Sequence, residues 1–319
     1  VQWQLYKKHF LSEEGGIVDA VNGGIRHSEG QGMGMLLATG HQDRETFDRI
    51  WRWTKENLQV REQDSLLAWR WQQTEPHISD SNNATDGDIL VAWALLRAHM
   101  IWNEGSYLED AKGLIASIRK ELLTYRNGRL LLLPGKEGFT KDDGVIVNPS
   151  YWVFPALLAF AKLEADELAW QGLIQSGQEL IAEAQFGAWR LTPDWLKVAD
   201  DGSLQPAPQF PKRFGLDAVR VPLYLKWGGF DLHPAVANAR NFWSLFTGDG
   251  AWPDWVLLDE TIVHLSDAMP GVESISVLVE APGAEAFSPF PALDWRRAEY
   301  YQATLLLIAE LARAESAKQ

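Results

Sequence analysis

A single carboxylate lies among glycines near the start of the chain, in a setting suited to chemistry. Glu29 is followed by Gly30, Gly32 and Gly34, and the apolar stretch Met35-Leu36-Leu37-Ala38 comes next. Because glycine permits close approaches that other residues forbid, this spacing predicts a tight entry into a helix, with Glu29 beside an open space. The alternative is an ordinary acid in a first helical turn, where the helix dipole favours negative charge.

A second acidic group, Thr85-Asp86-Gly87-Asp88, precedes the apolar stretch 89–98. Thr85 and Asp88 have the spacing of a capping box with Asp in place of Glu, which is the structural alternative for both residues. Asp86 has no part in such a cap. An apolar helix must be enclosed by protein, so its first turn is predicted to face the mouth of the fold, where Asp86 can meet a ligand.

A third acid, Asp217, precedes Arg220 by three residues, so both share one face if the stretch is helical. A guanidinium favours the ionised form of a neighbouring carboxylate. The same spacing is also typical of a purely structural ion pair. Each of the three acidic groups introduces a mostly apolar stretch, which predicts that all three meet at one end of the molecule.

Composition narrows the chemistry that these acids can perform. The 319 residues include no cysteine, and the seven histidines are scattered without the spacing of metal ligands. No glycine-rich nucleotide motif follows a strand. We therefore expect no metal and no cofactor. Carboxyl groups alone suit glycoside hydrolysis, in which one acid protonates the leaving oxygen and another handles water or attacks carbon.

The net charge of −14 disfavours nucleic acids and anionic membrane surfaces as partners. No apolar run has membrane-spanning length, so membrane insertion is not expected. The net charge neither attracts nor repels a neutral substrate. Most of the sixteen tryptophans are expected in the core, and the remainder suit a groove that binds the flat faces of sugar rings.

Helices of two kinds must position these groups. Amphipathic helices are predicted over 43–58, with Asp43 at the cap position, and over 111–123, 166–184 and 234–246. Mostly apolar helices, which must be enclosed, are predicted over 89–98, 151–163, 216–227 and 301–311. Their alternation predicts an all-α toroid of two helical rings, formed by a single domain over residues 1–319. Short strands are predicted at 130–133 and 275–279, and ordered loops over 133–149, 186–215 and 247–272.

Four motifs, taken together in their order and spacing, resemble glycoside hydrolase family eight. They are Ser28-Glu29-Gly30-Gln31-Gly32-Met33-Gly34-Met35, Ala84-Thr85-Asp86-Gly87-Asp88, Asn148-Pro149-Ser150-Tyr151 and Asp217-Ala218-Val219-Arg220-Val221-Pro222. Ala68-Trp69-Arg70-Trp71 and Leu133-Pro134-Gly135-Lys136 extend the similarity to the members encoded beside bacterial cellulose synthases. One departure is Met33, where the family usually has tyrosine.

The resemblance implies an (α/α)6 barrel that hydrolyses β-1,4-glucan with inversion. It also implies a periplasmic or secreted location and a role linked to bacterial cellulose synthesis. By motif, Glu29 is implied as the general acid and Asp217 as the general base. An inverting enzyme needs its two carboxyl groups about 6.5–9.5 Å apart to admit a water.

Four further residues are implied to act on substrate and water. Asp86 is implied to grip the sugar before the scissile bond, and Trp69 to stack on a glucose ring. Tyr151 and Arg220 are implied to order the water and the base. A general acid must hold its proton, whereas a helix N-terminus stabilises the carboxylate. Burial and the charge of Asp86 must therefore outweigh the dipole at Glu29.

Other functions fit parts of this pattern. A carbohydrate-binding toroid without catalysis keeps the tryptophans but does not need both Glu29 and Asp217. A sugar isomerase or epimerase uses histidine pairs, and no histidine pair falls beside the acidic motifs. Chitosan, xylan and mixed-linkage glucan are alternative substrates. We expect a monomer. The chain opens on Val1-Gln2-Trp3-Gln4 without a visible export signal, as a processed exported protein or a shortened chain would.

Overall fold

The computed structural model describes residues 1–165, 168–246, 250–267, 269–280 and 288–317. In these residues the chain forms eleven α-helices. They are α1 (Gln2–Phe10), α2 (Ser28–Gly40), α3 (Arg44–Asn57), α4 (Thr85–Trp102), α5 (Gly105–Glu121), α6 (Phe154–Leu163), α7 (Leu168–Glu183), α8 (Arg220–Trp227), α9 (Pro234–Trp243), α10 (Pro270–Leu278) and α11 (Tyr300–Ser316). A short 3₁₀ helix, Pro149–Tyr151, precedes α6.

Short strands lie between the helices. They are β1 (Arg26–His27), β2 (Arg70–Trp71), β3 (Leu123–Arg126), β4 (Arg129–Leu132), β5 (Thr140–Lys141), β6 (Gly144–Val147), β7 (Leu196–Ala199), β8 (Leu204–Pro206), β9 (Arg213–Phe214), β10 (Trp252–Leu257) and β11 (Val263–Ser266). Two pairs are β1-β2 and β3-β4, and two larger sheets have the orders β5-β6-β7-β8 and β11-β10-β9. Neighbouring strands in the two larger sheets are antiparallel.

The chain divides into two compact units. Unit one comprises Val1–Leu123, Pro134–Glu137 and Asp294–Ile308, and unit two comprises Thr124–Leu133, Gly138–Leu293 and Ala309–Gln319. In unit one, α2 packs against α3 and α4, and α4 also packs against α5. In unit two, α6 packs against α7 and α8, and α8 packs against α9 and α10. A single domain over residues 1–319 stays a prediction.

Helix α3 confirms both the predicted range and its predicted cap. Asp43 precedes the helix and accepts a hydrogen bond from the Thr46 N–H at 3.1 Å. Phe47, Ile50 and Trp51 form the buried stripe. The helices predicted over 111–123, 234–246 and 301–311 are present as α5, α9 and α11 with shifted ends, and the strand predicted at 130–133 is present as β4.

Helix α4 is enclosed, as its apolar sequence predicts, but it is not capped in the way its sequence suggests. Its residues from Thr85 to Leu96 are all buried. The residue before the helix is Ala84, whose side chain offers no cap. The capping-box alternative for Thr85 and Asp88 is therefore wrong. Thr85 is already helical, and Asp88 accepts hydrogen bonds from residues outside the helix.

Two other enclosed helices differ from their predicted ranges. The range 151–163 divides into the end of the 3₁₀ helix and α6, and Leu158 of α6 is 40% exposed. The range 216–227 becomes helical only at Arg220, so Asp217 lies in the turn before α8. The start of the helix predicted over 166–184 lies outside the described residues, and α7 is described from Leu168.

The strand predicted at 275–279 was wrong, and strands also form where loops were predicted. The β-branched run 275–279 lies mostly in α10, which Pro270 opens at its first position and which buries Ile275. Conversely, the loops predicted over 133–149 and 186–215 carry the four-stranded sheet and β9. In its described part, 247–272 contains β10 and β11. These strands have two to six residues, too few for a clear period of two.

Candidate active site

Glu29 lies in the first turn of α2, in unit one, and is only partly exposed. The chain reaches it through β1, which pairs with β2 so that His27 lies opposite Arg70. His27 caps the helix, because its Nδ1 accepts a hydrogen bond from the Gly30 N–H at 3.0 Å. An accepting Nδ1 carries no proton, so this cap fixes which ring nitrogen of His27 can donate. The imidazole therefore orders the start of α2.

Negative charge surrounds His27. Its Nε2 lies 3.8 Å from Oδ2 of Asp19. Burial alone lowers the pKa of His27, but the Asp19 contact and the charges of Glu29 and Asp86 outweigh burial and raise it. Burial opposes ionisation of Asp19 as well, yet hydrogen bonds from His27 and Asn22 lower the pKa of this carboxyl. The start of α2 is thus a region where acids accumulate around one imidazole.

Asp86 reaches the same region through a close approach between α2 and α4. Gly87 leaves no room for a side chain, since a Cβ there would lie 2.1 Å from Oγ of Ser28 and 2.8 Å from the backbone nitrogen of Glu29. Asp86 is 1% exposed, and one of its oxygens accepts the Gly87 N–H at 2.8 Å. The first two acidic groups therefore meet in unit one, as predicted.

Asp88 ties the loop before Trp69 to helix α4. Its two oxygens accept hydrogen bonds at 2.8 Å, one from the Leu67 N–H and one from the side-chain amide of Asn83. Burial, helped by the charge of Asp86, raises the pKa of Asp88 to about 8 against the effect of these donors. The side chain is buried and both of its oxygens accept hydrogen bonds from the protein, so Asp88 supports the loop rather than a ligand.

Trp69 is partly exposed beside the start of α2. Its carbonyl accepts the Ser28 N–H at 3.0 Å, which joins it to the helix that carries Glu29. Its indole N–H donates to Asp80 at 3.0 Å, and the guanidinium of Arg70 lies 4.7 Å from its ring centroid. These contacts hold the ring in one orientation. Met33, at the departure from the family pattern, is 0% exposed and packs in the core.

In unit two, Asp217 lies in the turn between β9 and α8. An Nη2 of Arg220 donates to its Oδ1 at 2.9 Å. The Arg220 side chain is 1% exposed and that of Asp217 is 35% exposed, so a buried cation holds a carboxylate that water can reach. The predicted pairing is confirmed, although it spans a turn and the first residue of a helix rather than one helical face.

A second acid, the buried Asp194, binds the backbone of this turn. Its Oδ1 accepts the N–H groups of Gly215 and Ala218, each at 2.9 Å, and its Oδ2 accepts Nε of Arg213 at 2.9 Å. Burial raises the pKa of Asp194 in opposition to these donors. The residues on both sides of Asp217 are thereby fixed to one buried carboxyl group.

Tyr151 ends the 3₁₀ helix, which contacts α8 in unit two. Its ring meets the edge of Trp195 at a centroid distance of 6.2 Å. Trp195 in turn stacks on Phe210 at 4.2 Å and on Phe139 at 5.7 Å. Tyr151 and Arg220 therefore belong to elements in contact, and an aromatic cluster lies beside Tyr151.

Comparison with known proteins assigns the family. The model of glycosyl hydrolases family 8 matches residues 1–258. A probable endoglucanase of Novacetimonas hansenii is 39% identical over 317 residues, which covers 98% of this chain and 90% of that relative. The chain belongs to glycosyl hydrolases family 8.

Solved structures agree with this family 8 assignment. An endo-beta-1,4-glucanase from Acetobacter xylinum has a TM-score of 0.92 and 38% identity, covering 99% of this chain and 98% of that one. A family 8 endoglucanase from Klebsiella pneumoniae has a TM-score of 0.91 and 35% identity, covering 99% of both chains. These similarities confirm the predicted all-α fold class, the (α/α)6 barrel with short strands in its loops.

The family 8 site residues predicted from motifs fall into two groups of three. Unit one brings together Glu29, Asp86 and Trp69, and unit two brings together Asp217, Arg220 and Tyr151. Their catalytic and binding roles stay predictions. In the described part of the chain, no group of three or more His, Asp or Glu side chains is arranged to hold a metal ion, and no helix has the length and hydropathy to cross a bilayer.

Sequence reasoning missed three supporting residues. Asp194 follows Thr192-Pro193, a turn-like signal that says nothing of its distant partners. His27 is adjacent to the acidic motif, but no pattern shows that it caps α2. Asp80 lies eleven positions after Trp69 in a polar loop, where an acid is unremarkable by sequence. All three act through contacts that only the folded chain creates.

Proposed function

We propose that this family 8 chain is an endo-acting, inverting glycoside hydrolase that cleaves β-1,4-glucan. The opposite electrostatic surroundings of two carboxyl groups carry the proposal. Glu29 is partly buried and shares its region with Asp19 and Asp86, and both burial and nearby negative charge favour the protonated form of an acid. They act against the helix N-terminus and His27, which favour the ionised form. Asp217 receives a guanidinium hydrogen bond at 2.9 Å, which favours the ionised form. One carboxyl group is thus suited to give a proton and the other to take one.

In the proposed reaction, Glu29 donates its proton to the glycosidic oxygen as the bond to the anomeric carbon breaks. Asp217 removes a proton from a water that attacks that carbon from the opposite face, which inverts its configuration. Arg220 keeps Asp217 ionised and oriented, and Tyr151 orders the water. After turnover Glu29 is ionised and Asp217 protonated, and exchange with solvent restores both.

Two residues of unit one are proposed to bind the glucan. Asp86 accepts hydrogen bonds from hydroxyl groups of the sugar before the scissile bond, at a position where its burial strengthens such contacts. Trp69 stacks on a glucose ring, and its fixed indole lowers the entropy lost on binding. The relatives named above are a probable endoglucanase, an endo-beta-1,4-glucanase and an endoglucanase, and this supports β-1,4-glucan over chitosan, xylan and mixed-linkage glucan as the substrate.

Glu29→Gln and Asp217→Asn test the two catalytic roles. Each is expected to lower kcat on carboxymethylcellulose by about 10²- to 10⁴-fold, because each removes one proton transfer. On an aryl cellobioside with a good leaving group, Glu29→Gln should recover most of its activity, since that bond needs no acid. Asp217→Asn should not recover.

Two exposed ion pairs supply matched control variants. Glu183→Gln and Asp259→Asn alter carboxylates paired with Arg129 and Lys212, and both should keep wild-type rates. NMR of the first-formed sugar should show the inverted anomer. Retention of configuration, or full activity of either catalytic variant, would overturn the proposal. Binding of glucan without hydrolysis of carboxymethylcellulose, lichenan, xylan or chitosan would favour a carbohydrate-binding protein instead.

We also propose that the protein works outside the cytoplasm as a monomer, beside bacterial cellulose synthesis. The resemblance to members encoded next to cellulose synthases supports this setting. Fractionation of cells that express the native gene should recover the protein in the periplasm or medium. Recovery in the cytoplasm alone would contradict the location, and light scattering of the purified protein tests the monomer.

A further inference from the structure

The turn that carries Asp217 is held by one buried side chain. Asp194 bonds to the backbone two residues before Asp217, at Gly215, and one residue after it, at Ala218, with both N–H groups meeting the same Oδ1 at 2.9 Å. The Val219 N–H also bonds to the Gly215 carbonyl at 3.0 Å, so the turn closes around this carboxyl group. Asp217 therefore projects from a backbone that is fixed on both sides.

The fit between the turn and Asp194 is tight. A Cβ on Gly215 would lie 2.8 Å from Oδ2 of Asp194 and 2.9 Å from Nε of Arg213, so the backbone approaches closely only because residue 215 is glycine. The backbone of Asp194 is held as well, since its N–H donates to the Arg213 carbonyl at 2.8 Å. Asp194 itself is 2% exposed.

Two acids beside one turn would compete for a single cation, but each has its own. Arg213 bonds to Asp194 at 2.9 Å, and Arg220 bonds to Asp217 at 2.9 Å. Arg213 offsets the charge of Asp194, which leaves Arg220 to Asp217. The buried Asp194 is therefore free to bind the backbone N–H groups of the turn, while the partly exposed Asp217 faces solvent.

We infer that Asp194 is the positioning residue of the general base: it sets the backbone of residues 215–218 so that the Asp217 carboxylate meets Arg220 and faces the attacking water. The inference rests on the proposed function, in which Asp217 is that base. A base displaced by a fraction of an ångström still binds glucan but activates water poorly, because proton transfer depends steeply on geometry.

Asp194→Ala and Asp194→Asn test this role in the full chain. Asp194→Ala removes the three side-chain hydrogen bonds, and we expect kcat to fall about 10- to 100-fold with KM changed by no more than about twofold. Asp194→Asn keeps one accepting oxygen but places an amide NH₂ against Arg213, so its kcat should lie between that of Asp194→Ala and the wild type. The acidic limb of the pH profile of kcat/KM should move in both variants, because the contact between Asp217 and Arg220 is altered.

Double variants separate positioning from general stability. If Asp194 acts through Asp217, the variant Asp194→Asn/Asp217→Asn should be no slower than Asp217→Asn alone. A fully additive loss, an unchanged pH profile, or a kcat for Asp194→Ala above about half that of the wild type would overturn the inference. If Asp194→Ala does not fold, Asp194→Asn carries the test by the same criteria. Asp259→Asn is the matched control, and full activity of Asp217→Asn would instead sink the proposed function.

Discussion

Three buried aspartates have the same carboxyl group and different partners. Asp194 receives three N–H donors, one of them from a guanidinium, and supports a turn. Among the described residues, Asp88 receives two amide donors and no guanidinium hydrogen bond. Asp86 accepts the N–H of its own neighbour, Gly87, and its charge reaches His27. The partners, rather than the residue type, distinguish an acid that stabilises the backbone from one that keeps its proton.

The raised pKa of Asp88 predicts a specific pH dependence of stability. In the unfolded chain an aspartate loses its proton near pH 4, whereas Asp88 in the folded protein holds its proton up to about pH 8. Between these values the folded state binds more protons than the unfolded state. The free energy of unfolding therefore falls as pH rises through this window, by at most about 1.4 kcal/mol per pH unit from this group.

Asp88→Asn removes this titration and leaves the other groups in place. Urea denaturation at pH 5, 7 and 9 should show wild type losing stability relative to Asp88→Asn as pH rises. The amide introduced at position 88 cannot accept hydrogen bonds from both Leu67 and Asn83, so the variant is less stable by an amount that does not depend on pH. The test is therefore the slope of the free energy of unfolding against pH. Parallel curves for the two proteins would show that Asp88 is ionised in the folded state throughout.

Residue spacing in the sequence predicts only some of the partners of the acidic side chains. The pairing of Asp217 with Arg220 follows from three-residue spacing, and it is present at 2.9 Å. The support from Asp194 does not follow, because it reaches the turn through backbone N–H groups that every residue except proline possesses. For the same reason the cap that His27 gives to Gly30 leaves no sequence signal.

At the scale of elements, two glycines let α2 and α4 approach closely. A Cβ on Gly32 would lie 2.5 Å from Cβ of Leu90, and one on Gly87 would lie 2.8 Å from the backbone nitrogen of Glu29. The glycines after Glu29 predict a tight entry into the helix, and each of them meets a different neighbour: Gly32 approaches α4, Gly30 the hydroxyl of Tyr300 and Gly34 the side chain of Ile17. The helix contact therefore sets where Glu29 lies relative to Asp86.

Gly87→Ala should disturb this contact and the acid together. The new methyl group overlaps Ser28 and the backbone of Glu29, so the helices must separate. We expect a loss of about 1–3 kcal/mol in the free energy of unfolding. We also expect a decrease of about tenfold or more in kcat/KM, because Glu29 moves with its helix. Urea denaturation and reducing-sugar assays measure the two effects.

Gly105→Ala is the matched control, since residue 105 opens α5 and a Cβ there meets nothing within 4 Å. It should leave activity unchanged and keep or slightly raise stability. Equal behaviour of the two variants would show that the contact between α2 and α4 tolerates a methyl group and does not position Glu29.

Elements with a strong local signal were predictable, and elements defined by packing were not. The Asp43 cap and the stripe of α3 lie within one short segment, so sequence alone reveals them. The run from Ile275 to Val279 is rich in β-branched residues, yet burial against neighbouring helices and a proline start make it mostly helical. The short strands of the β5-β6-β7-β8 sheet gain stability from partners distant in sequence.

At the scale of the whole molecule, the net charge of −14 affects substrates according to their own charge. The long-range field repels an anionic polymer and leaves a neutral one unaffected. At about 10 mM salt this field extends roughly 30 Å, and at about 0.2 M it is screened within about one-quarter of that distance. Association with carboxymethylcellulose should therefore be slow at low salt and recover as salt is added.

We predict that kcat/KM on carboxymethylcellulose rises at least about twofold between about 10 mM and about 200 mM sodium chloride, whereas kcat/KM on neutral hydroxyethylcellulose stays nearly constant. Initial rates at low substrate concentration measure both. The neutral polymer controls for effects of salt on the fold and on the catalytic acids, because these effects act on both substrates alike. An equal response of the two polymers would show that salt acts on the enzyme itself and that the net charge does not limit the encounter with the polymer.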